Sequence, residues 1–447
     1  TARDYHAEPI EPATVLATLE ARSADTQDVR SFLAANAVDT SIWPLQKWSL
    51  ESLALLAIHL HPDLGVARAE WHAKLAAEAT AAVRKNPIVS PLVEYHSEPG
   101  ADDTPWSVGL ALEIPINAAD KLAARVAEAE ALSTVARLEI GAIAWVVRGR
   151  VRDRFVALFA AQAGTALAAR QISTREQVVT ILEKRHAAGE TDAITLGHAR
   201  LALQEDRLRL SAAQREVTVR QTDLADALTL PAEAVSTMTI GTAALSVWIP
   251  SPLAPDSVRR QALLNRLDVR AALAAYQATE SRLRLEIANQ YPDIRISPGL
   301  LWDQGDVVWS VGGALLAPVL DINQAPIEHA ERARTLSARQ LTALQSRVLG
   351  NLDRALAAYV AAADALDAAQ ALWHALNAHL ARVERQFAAG EIGRVAVLQS
   401  ELALLAAGRT VLAERVNALR ALGAVEDAVQ SPLGGGPALP AATETVS

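Results

Sequence analysis

Two parts of the chain share one succession of hydrophobic patterns: a short strand-like alternation followed by a very long helical stretch. The alternating segments, 106–115 and 309–318, are identical at seven of ten positions. Both long stretches end at the same four residues, Ala-Ala-Gly-Glu, at 187–190 and 388–391. A repeat of this length predicts two related halves of one architecture.

The first long stretch contains no proline and little glycine between Asp120 and Ala188. It predicts one continuous helix of roughly 100 Å, at about 1.5 Å per residue. A second such helix is predicted over about 324–389, with return helices over about 194–228 and 395–429. Because Ala-rich helices this long cannot bury their faces within one small domain, we expect them to pack side by side as long coiled coils.

Each half also contains a predicted β-hairpin, at about 88–116 and 293–319. In the second strand of the first hairpin, apolar side chains alternate with small or polar ones, so one face is apolar. That face carries Val108, Leu110, Leu112 and Ile114. Aromatic side chains lie near the strand ends, at Tyr95, Trp106, Trp302 and Trp309.

Strands of about ten residues match the length of a tilted membrane-spanning strand. Lipid offers no hydrogen bonds to the open edges of a sheet, so four strands must close into a barrel with strands from other copies. Three copies would supply about twelve strands, enough for a lumen. The aromatic side chains would then form a girdle at the membrane interface, and the apolar face would contact lipid. Hairpins packed on a soluble core are the alternative.

The domain organisation follows from the repeat. The predicted domains are an N-terminal arm (1–48), a first repeat (49–230), a connector (231–256), a second repeat (257–430) and a disordered tail (431–447). The arm is predicted to be irregular apart from a short helical segment near residues 13–22. One helix is predicted before each hairpin, over 49–85 and 257–290, from the spacing of apolar residues.

Composition narrows the range of functions. The net charge of −9 argues against a nucleic-acid partner, which needs a basic surface. The chain has no cysteine, so disulfides, thiolate metal sites and cysteine nucleophiles are excluded. Because no run of about 18 consecutive apolar residues exists, no transmembrane helix is predicted. The sequence begins at Thr1 without an apolar leader, so we expect that any export signal has been removed.

No catalytic, cofactor or metal site is predicted. The sequence contains no nucleophile elbow and no Gly-rich phosphate loop after a strand. Two histidine pairs, His59 with His61 and His374 with His379, lack the spacing of four that places both rings on one helix face. Weak contacts also suit a conduit better than tight binding, because tight binding slows release.

The duplicated strand-and-helix halves and the paired Ala-Ala-Gly-Glu turns resemble the TolC family of trimeric outer-membrane efflux channels, over about residues 50–430. Two further segments, 114–125 and 318–324, resemble its CzcC-like heavy-metal branch. That branch usually has Gly and Arg near positions 120 and 122, where this chain has Asp120 and Leu122.

The resemblance implies a mainly α fold with a small β part. It implies a homotrimer whose outer-membrane barrel of about twelve strands continues as a helical barrel in the periplasm. The implied function is a passive exit duct in the outer membrane of a Gram-negative bacterium, exporting divalent heavy-metal cations. The implied partners are a periplasmic membrane-fusion adaptor and an inner-membrane RND-type pump. A duct for drugs or other organic molecules and a soluble coiled-coil scaffold are the alternatives.

The resemblance also assigns a place to the two glycine turns. Gly189 and Gly390 would lie at the periplasmic tips, which face the adaptor and close the duct at rest. The candidate gate and adaptor-contact residues are therefore Gly189, Glu190, Asp192, Gly390, Glu391 and Arg394.

Overall fold

The computed structural model describes residues 4–97, 104–116, 120–248, 251, 253–303, 305–315 and 322–433. Most of these residues are helical, and one four-stranded sheet is present. The prediction of a mainly α fold with a small β part is therefore confirmed. The predictions for the end of the tail and for segments 117–119 and 316–321 lie outside the described residues.

The elements alternate between helices and two pairs of strands along the chain. The helices are α1 (Pro12–Glu20), α2 (Gln27–Ala35), α3 (Leu50–Leu60), α4 (Pro62–Ala81), α5 (Lys121–Ala187), α6 (Ala193–Leu228), α7 (Ala232–Ser236), α8 (Pro255–Leu264), α9 (Leu267–Ala288), α10 (Gln324–Ala388) and α11 (Arg394–Val429). The strands are β1 (Ile88–Tyr95), β2 (Trp106–Ile116), β3 (Ile294–Asp303) and β4 (Asp306–Leu315). A short 3-10 helix covers Thr242–Val247.

The two long helices are continuous, as the sequence predicts. Helix α5 has 67 residues and α10 has 65, and the return helices α6 and α11 have 36 residues each. The one proline of α10, Pro326, lies in its first turn, where a missing N–H removes no helical hydrogen bond. Low glycine and proline content therefore sufficed to predict these helices.

The arm and the segments before the two hairpins contain more separate helices than the sequence pattern indicated. The arm predicted as largely irregular contains α2, whose first turn is capped by the Thr26 hydroxyl accepting from the Val29 N–H. The single helix predicted over 49–85 breaks at His61, which is extended because it precedes Pro62. The helix predicted over 257–290 is likewise split into α8 and α9.

The sheet joins the two repeats. Its strand order is β1-β2-β3-β4, and each neighbouring pair is antiparallel. The central pair links the second strand of one hairpin to the first strand of the other, with Leu110 opposite Leu300 and Ile114 opposite Ile296. The two predicted hairpins thus form one continuous sheet.

Both long helices begin after a residue with left-handed backbone geometry. Asp120 has φ 48° and Asn323 has φ 60°, a conformation that Asp and Asn tolerate better than most residues other than glycine. The Asn323 amide donates to the Glu286 carbonyl (2.7 Å), and Lys121 donates to the Tyr291 carbonyl (2.6 Å). The glycine that the resemblance led us to expect at position 120 is therefore replaced by another residue that accepts this geometry.

The chain divides into two compact units, and each contains segments of both repeats. The first unit comprises Thr1–Gly65, Gly141–Arg266 and Val348–Ser447. The second comprises Val66–Ile140 and Leu267–Arg347 and contains the whole sheet. In the first unit, α5 packs on α11 through Phe159 and Val416, and α5 packs on α6 through Val179 and Leu203.

An ion pair formed by the buried Arg152 also joins α5 to α11 in the first unit. Arg152 donates to both carboxylate oxygens of Asp427 (3.0 and 2.7 Å) and to the Gly423 carbonyl (2.9 Å). Gly423 leaves room for this contact, since a Cβ at that position would lie 2.5 Å from Arg152 Nε. Arg148 donates to Glu426 beside it (3.1 Å). The fork geometry of the guanidinium therefore aligns the two helices.

Within the part of the chain that the structure describes, two helices are long and apolar enough, by length and composition alone, to cross a membrane. They are α10 and α11, and each contains one 18-residue window of this kind. Core helices of soluble proteins share this property. The sequence criterion of consecutive apolar residues missed these windows because it allows no interspersed polar residue.

Candidate membrane-facing sheet and helical turns

One face of the sheet is apolar on all four strands. The register places the predicted face of β2 beside apolar residues of its neighbours, because residues directly opposite each other share a face. Val108 lies between Val93 and Trp302, and Leu110 lies between Pro91 and Leu300. On β4 the same face continues through Val307, Trp309 and Val311.

This apolar face is uncovered. Leu110 is 53% exposed, and Val108, Ile114, Trp309 and Val311 are exposed as well. Leu112 is half-buried. A sheet in water normally turns its apolar face towards the core, and this sheet does not.

The opposite face carries the polar contacts of the central strands. Ser107 is fully buried and donates to Asp303, and His96 Nε2 lies 2.9 Å from the Ser107 hydroxyl. Arg295 donates to Glu113 across β2 and β3 (2.7 Å). The edge strands also place Ile88, Leu92 and Val308 on this face.

The His96, Ser107 and Asp303 group is not a catalytic triad. In a triad the serine hydroxyl gives its proton to histidine, and the carboxylate holds the other ring nitrogen. Here the Ser107 hydroxyl donates to Asp303 and is closed to solvent. The three side chains instead tie β2 to β3 and to the residue after β1.

The four predicted girdle residues lie at one end of the sheet, where both hairpin turns are. Tyr95 is opposite Trp106, with ring centroids 5.0 Å apart. Trp302 is opposite Val108, and Trp309 is opposite Leu300. All four belong to the apolar face, so the structure brings together side chains that the sequence placed on four separate strands.

The two outer strands each have one free side. In the described part of the sheet, β1 pairs only with β2 and β4 pairs only with β3. Their outer N–H and C=O groups form a template for further strands. The same sheet therefore has two open edges and an exposed apolar face.

The two helical turns that are predicted to be the tips have similar backbone conformations. Gly189 has φ 77° and Gly390 has φ 80°. The N–H of Glu190 donates to the Arg185 carbonyl (2.8 Å), and the N–H of Glu391 donates to the Gln386 carbonyl (3.0 Å). These bonds satisfy the last carbonyls of α5 and α10, and glycine suits the left-handed position between them.

The side chains of the two turns differ. Asp192 caps α6, and its carboxylate accepts from the Thr195 N–H (2.7 Å) and hydroxyl (2.9 Å). Both hydrogen bonds from Thr195 lower the pKa of Asp192, and the bond from the backbone N–H has the larger effect. The corresponding cap of α11 is Gly393, which has no side chain to accept a hydrogen bond.

The second turn instead presents a cation. Arg394 is the first residue of α11, and its guanidinium lies over the Phe387 ring, 5.8 Å from the centroid. A positive charge at a helix N-terminus opposes the helix dipole, so the contact with the ring helps to hold it there. Arg185 from the first turn approaches Gly393, where a Cβ would lie 2.9 Å from its guanidinium.

Sequence reasoning missed a buried polar group on the α5–α6 pair. Asp206 is buried and accepts hydrogen bonds from Gln171 (2.6 Å), Arg175 (3.0 Å) and Arg209 (3.0 Å). It lies three residues after Leu203, on the face of α6 that packs against α5. That spacing is the signal that would have identified it.

The described residues contain no group of three or more His, Asp or Glu side chains placed to hold a metal ion. His59 instead pairs with Asp28 (2.7 Å). His61 is buried and accepts from the Asp63 N–H (3.2 Å). The histidines singled out in this segment have structural partners.

Comparison with known proteins gives one curated relative and several solved structures. The chain is 25% identical over 378 residues to the cobalt-zinc-cadmium resistance protein CzcC of Cupriavidus metallidurans, covering 84% of this chain and 86% of that protein. No protein-family model matches the chain.

Three proteins of known structure have a similar fold. The outer-membrane channel OprN is 18% identical, with a TM-score of 0.66 over 86% of this chain and 90% of its own. CusC gives 18% and 0.66 over 86% and 92%. VceC of Vibrio cholerae gives 17% and 0.67 over 86% and 96%. The shared architecture covers most of each chain.

The cap at Asp192 yields a pH prediction. The pKa of Asp192 is lowered in the folded chain, so its ionised carboxylate caps and stabilises α6 at neutral pH. As the pH falls below the usual pKa of aspartate and through the lowered pKa, the carboxylate is protonated and this stabilisation is lost. Hydrogen exchange of the first turn of α6, corrected for intrinsic rates, should therefore rise on acidification. Asp192→Asn should remain capped and lose this pH dependence, whereas Asp192→Ala should exchange fast at all pH values. Equal protection in all three proteins would contradict the assignment.

Proposed function

We propose that the chain is a member of the TolC family of outer-membrane efflux channels, whose proteins it resembles in sequence and fold, and that it is the exit duct of a three-part system that exports divalent metal cations. The duct lies in the outer membrane of a Gram-negative bacterium and extends into the periplasm. It is passive, and an inner-membrane RND-type pump drives it through a periplasmic adaptor. The relatives are channels and a resistance protein, in line with the prediction that the chain is not an enzyme.

The observation that carries this proposal is the sheet. Its apolar face is exposed while its other face contains a fully buried serine and an ion pair between neighbouring strands. Lipid on the apolar side and a polar lumen on the other would match this distribution. Tyr95, Trp106, Trp302 and Trp309 would then form one interfacial girdle.

Closure of the sheet requires other copies. Four strands with two open edges cannot satisfy their outer backbone groups in lipid. Three copies, joined β1 to β4, would form a closed barrel of about twelve strands. The homotrimer is therefore part of the proposal, with the long helices continuing it as a coiled-coil tube.

The two helical turns form the gate and the adaptor contact in this proposal. Gly189 and Gly390 end the long helices, and the exposed charges beside them are Glu190, Asp192, Glu391 and Arg394. One turn carries a capped aspartate and the other an arginine over Phe387. Opposite charges at neighbouring turns would hold the tips together at rest, and adaptor docking would separate them.

The cargo assignment rests on the relative. CzcC is named for resistance to cobalt, zinc and cadmium, and the net charge of −9 is compatible with the passage of cations. OprN and VceC are equally similar in fold, and fold alone specifies no cargo, so a duct for organic molecules is the second candidate.

Charge on the two faces of β2 tests the membrane assignment. Leu110→Lys places a cation on the lipid side near mid-strand and should destabilise the inserted barrel by about 2–4 kcal/mol. Ala111→Lys is the matched control, because Ala111 lies on the other face opposite Ser90 and Gly299. When outer-membrane fractions are extracted with detergent, only the Leu110→Lys variant should give less heat-modifiable trimer. Equal loss, or no loss in either, would contradict a lipid-facing apolar surface.

Single-channel recording tests the gate. Arg394→Ala and Glu391→Ala should raise the resting conductance in planar bilayers, because each removes a charge that holds the tips. Arg332→Ala is the control, since Arg332 forms an exposed ion pair on α10 away from the turns. Unchanged currents in both tip variants would remove these residues from the gate.

Deletion of the gene in its host tests the cargo. Cells should become several-fold more sensitive to cobalt, zinc or cadmium, with unchanged sensitivity to dyes and antibiotics, and the intact chain should restore resistance. Sensitivity to dyes alone would support the organic duct. A purified chain that stays monomeric without detergent would support the scaffold and overturn the channel.

A further inference from the structure

His61 lies at the break between helices α3 and α4 and makes hydrogen bonds to both. Its backbone N–H donates to the Ala57 carbonyl of α3 (2.8 Å). Its ring atom Nδ1 accepts from the N–H of Asp63, the second residue of α4 (3.2 Å). A side chain that accepts a hydrogen bond from this position is an N-cap, a role that Ser, Thr, Asp and Asn usually fill. The first turn of α4 is therefore capped by a titratable side chain.

This cap requires a neutral imidazole ring. A ring nitrogen that accepts a hydrogen bond carries no proton, so the single proton of the neutral ring lies on Nε2. Nε2 is 3.4 Å from Arg150 Nη1, which is also a donor. In the charged ring both nitrogens carry protons. A charged His61 would therefore lose its hydrogen bond to the Asp63 N–H and face a second cation.

The charges around His61 come from four other segments of the first compact unit. Arg150 of α5 and Arg22 of the N-terminal arm oppose a charge on the ring. Asp63 of α4 and Asp226 of α6 favour it. His61 is 6% exposed, and this burial is the largest influence on its pKa, which is lowered from the usual histidine value.

The charged ring has a second partner nearby. Oδ2 of the Asp63 carboxylate is 3.7 Å from Nδ1 of His61. This distance is too long for a hydrogen bond, but it brings the two groups within reach of an ion pair. Protonation of Nδ1 would replace the hydrogen bond from the Asp63 N–H by an attraction to the carboxylate of the same residue. The ring then has two alternative arrangements, and only the neutral one caps α4.

We propose that His61 is a pH-sensitive cap that holds the first turn of α4 closed at neutral pH and lets it open in acid. The turn includes Gly65, which is less favourable in a helix than most residues, so the turn depends strongly on its cap. The chain leaves the first compact unit after Gly65, so the cap acts on a segment that connects the two units. The proposal involves neither a cargo nor a second copy and stands independently of the proposed function.

The lowered pKa sets the direction of the pH dependence. In the opened turn His61 has the usual histidine pKa of about 6.5, and in the capped turn its pKa is lower. The cap is therefore fully effective above about pH 6.5 and weakens as the pH falls towards the lowered pKa. Between the two pKa values, the population of opened turns rises about tenfold per pH unit, because opening takes up one proton.

Hydrogen exchange of the first turn of α4, measured on the detergent-purified full chain, tests this proposal. After correction for intrinsic rates, exchange should accelerate by up to about tenfold per pH unit below about pH 6.5. His61→Asn supplies a cap that does not titrate, so this variant should stay protected and lose the pH dependence. The matched control is His72→Asn, because His72 is exposed on the same helix, and it should keep the pH dependence. A pH dependence that survives in His61→Asn, or is missing from the unaltered chain, would overturn the proposal.

Two further variants distinguish titration of His61 from a role in packing alone. Arg150→Gln removes a cation beside the ring, so the midpoint of the transition should move to higher pH by on the order of 0.5 unit. Asp63→Asn keeps the backbone N–H that donates to the ring but removes the carboxylate, so the midpoint should move to lower pH by a similar amount. A packing role would move neither midpoint. Midpoints that stay in place, or that move in the same direction, would exclude His61 as the titrating group.

Discussion

The structure depends on one constraint: an antiparallel sheet with its apolar face outward and both edges open cannot be satisfied by a single chain in water or in lipid. Water leaves side chains such as Leu110 and Trp309 exposed. Lipid covers them but leaves the outer backbone groups of β1 and β4 without partners. The proposed closure with the sheets of other copies would satisfy both requirements.

The two repeats keep the same backbone and have diverged in their side chains. Asp120 and Asn323 share left-handed geometry, as do Gly189 and Gly390. Asp206 and Gln171 belong to a buried polar group in the first repeat. In the second repeat, Ala407 and Leu372 occupy the corresponding positions. The first helical pair therefore contains a hydrogen-bonded group that the side chains of Leu372 and Ala407 cannot form in the second.

Periodicity predicted the elements that are long or strictly alternating. The long helices and both hairpins were found because proline is scarce over α5 and because β2 alternates between Val108 and Ile114. The break at His61 was missed although Pro62 is visible in the sequence, and α2 was missed because nine residues carry little periodic signal. Among the site residues, the sequence placed Gly189, Gly390 and Asp192 at the helical turns and four aromatics near strand ends, but it did not indicate their partners. The girdle and gate roles stay predictions.

The sequence alone determined the duplication, the element types and the face on which each strand residue lies, because these depend on spacing along one helix or strand. Only the tertiary structure decided which residues meet across elements. It placed Arg152 against Asp427, Arg394 over Phe387 and four aromatics at one end of the sheet. It also showed that β2 pairs with β3, joining the repeats. Such contacts depend on the register and packing of distant segments, which local periodicity does not specify.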